Sequence, residues 1–406
     1  MRALAFLLLT AGLAAAGPTP TGKRLVFVQA IWRHGDRAPG GLPYPHDANG
    51  EERWPRGWNQ LTNEGMRQLR DLGAFFRQRY AGRFLNATYR VREVAVVSTD
   101  KERALVSAQA MLHGFFPPAA AHERFDAALD WQPIPVHSAG VGAEDPLLKP
   151  TAFACPRFDR KVRKVREAFA ERLFADYAEL FAFLRSATGF PQFGLEELKQ
   201  LGEVAKEIDH RLPQPAWIDR RWPQYANRST VELIVQLGLR ERLTRLSTPE
   251  LVRLRGGFLL GDWLKRADRV ARGKQRKPQK MLLYSSHDGT LQSFLHVLGV
   301  ADGVQIPYGG CVLMEIFADA RGEHTAKLLF RHGHELSPLK VRGCGEECPV
   351  ERLITLLEKN AILSLKQMHR ECEREFCKAP LPDSSKQAAR EKKQRKQQQK
   401  KLAFKH

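Results

Sequence analysis

The sequence predicts an α/β fold: a central, mostly parallel sheet with helices on both faces, and a smaller helical cap domain beside it. Three observations lead there. Short apolar runs at 25–32, 91–97 and 281–286 read as buried strands. Each is followed, directly or after a loop, by apolar residues at helical spacing. Between 157 and 272 the strand signals vanish, and patterns such as Val162/Val165/Phe169/Leu173 predict a helical insertion.

In chain order, residues 1–17 carry one early charge, Arg2, then an apolar run and Ala14-Ala15-Ala16, the pattern of a secretory signal peptide. That run is shorter than the roughly 18–20 residues of a membrane span. No later segment is long and apolar enough, so the mature chain is expected to be soluble, with no transmembrane segment. The first strand, 25–32, leads into Arg33-His34-Gly35-Asp36-Arg37-Ala38-Pro39. In an open α/β sheet, ligands bind at the carboxyl edge of the strands. Two guanidinium groups around an imidazole make a poor core there but a good phosphate site. A neutral imidazole held between them can attack phosphorus.

Residues 40–58 are a loop rich in Gly, Pro and Trp. Thr62 is the expected N-cap of a helix that buries Leu69, Leu72, Phe76 and Tyr80. Asn86-Ala87-Thr88 and Asn227-Arg228-Ser229 are N-glycosylation acceptors in an exported chain. The second strand ends at Ser98-Thr99-Asp100, read as caps of the next helix. Arg103 then falls in a first helical turn, where backbone N–H groups and the dipole favour an anion. By itself such an arginine is usually a surface charge. Its position just past a strand end singles it out.

The Pro-rich stretch 131–150 is a connection, and the basic cluster 272–280 returns the chain from the insertion to the sheet. The third strand, 281–286, ends at His287-Asp288. A lone His-Asp pair is more often structural than reactive. Three reactive strand ends brought to one sheet edge are a stronger signal. Residues 309–317 and 326–330 read as an antiparallel pair, and 350–365 as helix. The expected organisation is a leader at 1–17, an α/β domain in two parts (18–150 and 278–378), a cap at 151–277 and a tail at 379–406.

The net charge of +20 is unevenly spread. Residues 378–406 hold ten Lys and Arg against two Asp and Glu, a balance of +8, which leaves +12 for the rest. This polar, repetitive tail is expected to be disordered. It could touch polyanions or membrane surfaces by charge alone, or simply be solvated. Six cysteines in an exported chain are expected to be oxidised, and Cys344 and Cys348 are close enough for a tight local loop. A thiolate metal site would call for paired clusters with histidine partners. No acidic metal-ligand cluster stands beside the arginines, and no cofactor is expected.

The run Arg33 to Pro39, together with Tyr284-Ser285-Ser286-His287-Asp288, resembles the histidine acid phosphatases, the two-domain branch of the histidine phosphatases. The animal lysosomal and prostatic enzymes are the most similar in look. Ser98-Thr99-Asp100 with Arg103, Trp131 to His137, and Gly343-Cys344 through Cys348-Pro349 fit as well. The likeness spans roughly residues 24–378. It implies a phosphoglycerate-mutase-like architecture, His34 as the nucleophile that becomes phosphohistidine, and Asp288 as proton donor to the leaving alcohol. It also implies Arg33, Arg37, Arg103 and His287 as the phosphate-binding set. Three arginines can neutralise a phosphoryl group without a metal. Cationic neighbours should keep His34 neutral in acid, while Asp288 must be protonated to donate, so an acid optimum is expected.

The resemblance further implies the disulfides Cys155–Cys372 and Cys344–Cys348. It leaves Cys311 free or paired with Cys377, because residues 208–217 lack the cysteine relatives usually place in the helical region. Gly289 stands where relatives usually have Thr. The relatives are often homodimers. The expected function is a secreted or lysosomal acid phosphatase of broad range, acting on small phosphomonoesters or phosphoproteins. Alternatives are a narrower phytase-like or sugar-phosphate phosphatase, or a non-catalytic secreted binding protein. A phosphoglycerate-mutase-like transferase shares the Arg-His-Gly theme, but export signals, sequons and cysteines favour hydrolysis outside the cytosol.

Overall fold

The computed structural model describes residues 22–374, so the leader, Cys377 and the tail lie outside the described residues. The chain begins with β1 (Arg24–Arg33), α1 (Asn63–Tyr80), β2 (Val94–Ser98) and α2 (Glu102–Phe115). A helical stretch follows: α3 (Pro156–Asp176), α4 (Ala178–Thr188), α5 (Leu195–Leu201) and α6 (Val204–Asp209). A two-residue hairpin, β3 (Arg221–Trp222) and β4 (Arg228–Ser229), leads to α7 (Thr230–Thr244) and α8 (Pro249–Ala271). The sheet resumes with β5 (Met281–Ser286), α9 (Asp288–Leu298), β6 (Cys311–Ala318), β7 (His324–His332), β8 (Glu335–Pro338) and β9 (Glu347–Pro349). Helices α10 (Val350–Leu357) and α11 (Leu365–Glu371) close the described chain.

Seven strands form one sheet in the order β2-β5-β1-β6-β7-β8, with β9 also on β7. β2, β5 and β1 run parallel, so their carboxyl ends share one edge. From β1 to β6 and onward the pairing is antiparallel. Strand β1 is buried on both faces by alternation. Val28, Ala30 and Trp32 face a core shared with Leu69, Phe76, Met111 and Phe115 of α1 and α2. Phe27 and Ile31 face one shared with Trp263, Phe294 and Leu353 of α8, α9 and α10.

Glycine decides two close approaches here. A Cβ on Gly35 would meet the Gly65 carbonyl oxygen at 2.2 Å, so the turn after β1 lies directly on the first turn of α1. At the α1–α2 crossing a Cβ on Gly73 would reach the Met111 carbonyl oxygen at 2.0 Å.

The helical segment has its own core, in which Leu180, Leu198, Val204, Trp222 and Leu237 pack with Tyr44 from the 40–58 loop. Helix α8 is shared. Its start packs with Cys155, Ile362 and Cys372, while Leu259 to Val270 belong to the core under the sheet. Cys155 is bonded to Cys372 and Cys344 to Cys348, and Cys311 is a buried free thiol among the described residues.

Two local expectations are corrected. The second strand begins at Val94, and Val91 lies in a turn, 71% exposed. Ser98, Thr99 and Asp100 do not cap α2: its N-cap is Lys101, with no side-chain bond. Ser98 Oγ donates to the Thr99 carbonyl, Asp100 Oδ1 accepts from Ser138 Oγ, and Thr99 Oγ1 bonds His287.

Candidate active site

The carboxyl ends of β1, β2 and β5 carry Arg33/His34, Thr99 with Arg103 beyond it, and His287/Asp288. The two hydroxyls that end β5 fix its neighbours. Ser285 Oγ donates to the Ala104 carbonyl, and Ser286 Oγ to that of Leu148, which also accepts from Thr290. Helix α2 and the loop before α3 are thereby held against one strand end.

His34 is buried, and its Nδ1 sits 2.8 Å from the Gly35 carbonyl oxygen. A carbonyl can only accept, so Nδ1 carries the proton and Nε2 keeps its lone pair. Burial first, then Arg33, His287 and Arg103, hold the imidazole well below its ordinary pKa. The His287 ring stands edge-on to it, 5.4 Å between centroids. His287 Nε2 shares a 2.9 Å hydrogen bond with Thr99 Oγ1, the use to which that hydroxyl is put. Burial and then Arg103 push His287 down to about 3. Both rings are neutral in acid.

The arginines are positioned in different ways. Arg33 stacks on Tyr308, 3.9 Å from Cζ to the ring centroid, and donates to the Ile306 carbonyl. Arg37 donates to Glu203 at 3.0 Å and to the Ala38 carbonyl. Glu203, between α5 and α6, also takes Lys206; burial alone would raise its pKa, but Lys206 and Arg37 bring it down to about 2. Arg103 has no hydrogen bond or ion pair among the described residues, and its buried Nε, like that of Arg33, has no acceptor. Buried donors of this kind are costly unless a ligand meets them. Asp36, central to the first motif, is structural: its Oδ2 accepts from Thr62 Oγ1 and pairs with His210 Nε2, both at 2.6 Å.

Asp288 is the first residue of α9, and its Oδ1 accepts from the Gly289 N–H at 2.8 Å. Oδ2 accepts from Arg242 of α7 and lies 3.8 Å from Arg33. Burial would raise this carboxyl, but Arg33 and Arg242 outweigh it and keep its pKa well below the usual range. The space beside Gly289 is taken by Thr151, whose Cγ2 stands 3.0 Å from where a Cβ would be.

All six expected residues, Arg33, His34, Arg37, Arg103, His287 and Asp288, therefore converge. Sequence reasoning missed Thr99, Glu203, Lys206, Arg242 and Tyr308. No local pattern marks the three from the helical segment, and only the two-glycine turn after Tyr308 hints at a close approach. A cleft of about 890 Å³ opens beside the site, with Tyr308 and Asp36 in its wall and Arg53, Trp54 and Arg211 around it. Among the described residues, no group of three or more His, Cys, Asp and Glu is placed to hold a metal.

A parallel-strand edge with an unprotonated imidazole nitrogen, unspent guanidinium donors and a carboxyl beside them defines a phosphoryl-transfer site of the covalent histidine type. The chain matches the histidine phosphatase superfamily (branch 2) over residues 24–332, most of its length, and belongs to that family. It is 36% identical to the lysosomal acid phosphatase of Bos taurus over 347 residues, 84% of this chain and 79% of that one. It is 34% identical to the prostatic acid phosphatase of Mus musculus, across 83% and 86% of the two chains. Among solved structures it is similar in fold to a Hafnia alvei phytase in complex with myo-inositol hexakis sulphate. The TM-score is 0.64 at 18% identity, covering 84% of this chain and 98% of that one.

Proposed function

We propose that the protein is an acid phosphatase that hydrolyses phosphate monoesters of broad range through a phosphohistidine on His34. The carrying observation is the free Nε2 of a neutral His34 among Arg33, Arg103 and His287. Nε2 attacks phosphorus, the P–O ester bond breaks, and the departing oxygen takes a proton from Asp288. Water then attacks phosphorus, the P–N bond breaks, and Asp288 receives the water's proton. Arg33, Arg37 and Arg103 neutralise the phosphoryl oxygens, and His287 holds one of them. An arriving phosphate dianion competes for Arg33 and raises the Asp288 pKa, so that acid solution can protonate it.

A panel of phosphomonoesters at about pH 4–6, with wild type and His34→Ala, tests the assignment. Alkaline quench should trap a base-stable phosphoprotein in the wild type only. Equal turnover by both proteins would remove it. The convergence of all six residues also favours catalysis over a non-catalytic binder.

The same reading makes the protein lysosomal or secreted, with 1–17 removed, an α/β domain at 18–150 and 278–378, and a cap at 151–277. No helix among the described residues is long and apolar enough to cross a membrane. The exposed Asn86 and Asn227 carry the glycans in this reading. A homodimer and a polyanion contact through 379–406 belong to it too. Sedimentation checks the first. Deletion of 379–406 without change in the salt dependence of heparin binding would remove the second.

A further inference from the structure

The ion pair between Asp288 and Arg242 holds the expected proton donor in its ionised form, which disfavours donation. Oδ1 is engaged by the Gly289 N–H, so Oδ2 is the oxygen left to carry a proton, and Oδ2 accepts from the Arg242 guanidinium. A carboxyl oxygen in that contact is an anion. Arg242 differs from the other guanidinium groups of the site. Arg33, Arg37 and Arg103 come from the sheet edge, whereas Arg242 comes from the last turn of α7 in the cap. Its side chain is 39% exposed, against 8% for Arg33. Nearby carboxylates are committed elsewhere: Glu241 to Arg166 and Arg245, Glu203 to Arg37 and Lys206. Asp288 is the only carboxylate that Arg242 pairs with among the described residues. A proton donor must face the ester oxygen, and Oδ2 also lies 3.8 Å from Arg33, so the Arg242 cation bonded to Oδ2 stands beside the oxygen from which the leaving alcohol takes its proton.

We propose that Arg242 is a specificity-determining residue that reads a second anionic group on the leaving alcohol, and that this group frees Asp288 Oδ2 by drawing the guanidinium away. The proposal rests on the phosphatase reading above and narrows its substrate class. Favoured substrates are phosphomonoesters whose alcohol bears a carboxylate or a second phosphate within a carbon or two of the ester oxygen. With Arg242 taken by that anion, Oδ2 acquires a proton from solvent and passes it to the ester oxygen as the P–O bond breaks. Esters of neutral alcohols leave Arg242 on Asp288 and turn over more slowly. The charged and titratable groups facing Asp288 are Arg33 and His34 from β1, Arg103 from α2, the adjacent His287, and Arg242 from α7 with Glu203 and Glu241 behind it. Among them Arg242 alone holds Oδ2 by a direct hydrogen bond.

The test compares glycerol 2-phosphate with 2-phosphoglycerate, which differ by a carboxylate next to the ester carbon, from pH 4 to 7. Wild type, Arg242→Ala, Arg242→Lys and His34→Ala are measured. Wild type should favour 2-phosphoglycerate in kcat/KM by about tenfold or more, the worth of one charge-assisted contact. Arg242→Ala should bring the ratio near one, partly by raising kcat/KM for the neutral ester. It should also move the alkaline limb for that ester to higher pH, because one of the two guanidinium groups that keep Asp288 ionised is gone, the one hydrogen-bonded to Oδ2. Arg242→Lys should keep part of the preference. An unchanged ratio in Arg242→Ala overturns the specificity role, and an unchanged limb overturns the release of Asp288. If His34→Ala hydrolyses both esters like the wild type, the phosphatase reading itself fails. If both are hydrolysed through His34 with a ratio indifferent to residue 242, only this inference does.

Discussion

Arg103 illustrates why residue identity, and not charge alone, matters in this site. Its guanidinium meets no carboxylate among the described residues, and burial together with Arg37 lowers its pKa. A lysine would keep the charge and lose the planar fork. We expect Arg103→Lys to raise both KM for an aryl phosphate and Ki for inorganic phosphate about 10–100-fold, as measured by steady-state inhibition. His34 and His287 give the pH dependence. Both are depressed in the folded protein, so neutral imidazole supports the fold above about pH 6.5. That support is lost as pH falls toward the folded values, about 3 for His287. Because His34 stays unprotonated well below 6.5, the acid limb of kcat/KM should lie well below that value. A limb at 6.5 in a pH–rate profile would contradict the neutral nucleophile.

At the scale of elements, the crossing of α1 and α2 positions both Arg103 and the turn after β1. Gly73 and Gly114 allow it: a Cβ on Gly114 would reach the Arg70 carbonyl oxygen at 2.0 Å. Gly73→Ala must push two helix backbones apart, and we expect a loss of about 2–4 kcal/mol in chemical denaturation. Strand β5 was legible in the sequence because it is apolar toward both faces, and its six residues fall where expected. The Thr62 cap was legible too, accepting from the Gly65 N–H at 3.0 Å. The start of β2 was not, since Val91 extends the run of valines at 94, 96 and 97 with no local signal that it lies outside the strand. Nor was the fate of Thr99, whose hydroxyl suits a helix cap and a histidine equally well until His287 is placed beside it.

Across the whole molecule, two devices join distant segments. Cys155–Cys372 spans 217 positions and ties the start of the helical segment to the end of the described chain. Replacing both with Ser should lower stability by about 5 kcal/mol on a chain-entropy account, against about 2 for the short loop of Cys344–Cys348. Urea midpoints of the two double variants check the order. The second device is acid-dependent. Buried Glu207 of α6 bonds Asn49 and Gln214, and Asp47 of the 40–58 loop lies against it. Burial and then Asp47 raise Glu207 to about 7. A carboxyl raised on folding supports the structure fully below its unfolded value of about 4.3, and that support is lost as pH climbs through about 7. Glu207→Gln should therefore flatten the fall in Tm between pH 5 and 8.

Residue order alone marks the strands that end in chemistry, the residues on those ends and the family, because reactive side chains lie next to apolar runs whose burial is local. Tertiary structure decided everything that the helical segment brings to the site. Glu203 on Arg37, Arg242 on Asp288 and Glu207 under the loop are pairs more than 40 residues apart in the chain. A charged residue on a polar helix face looks solvated until the helix is docked. Only then is it clear which charges are removed from water together.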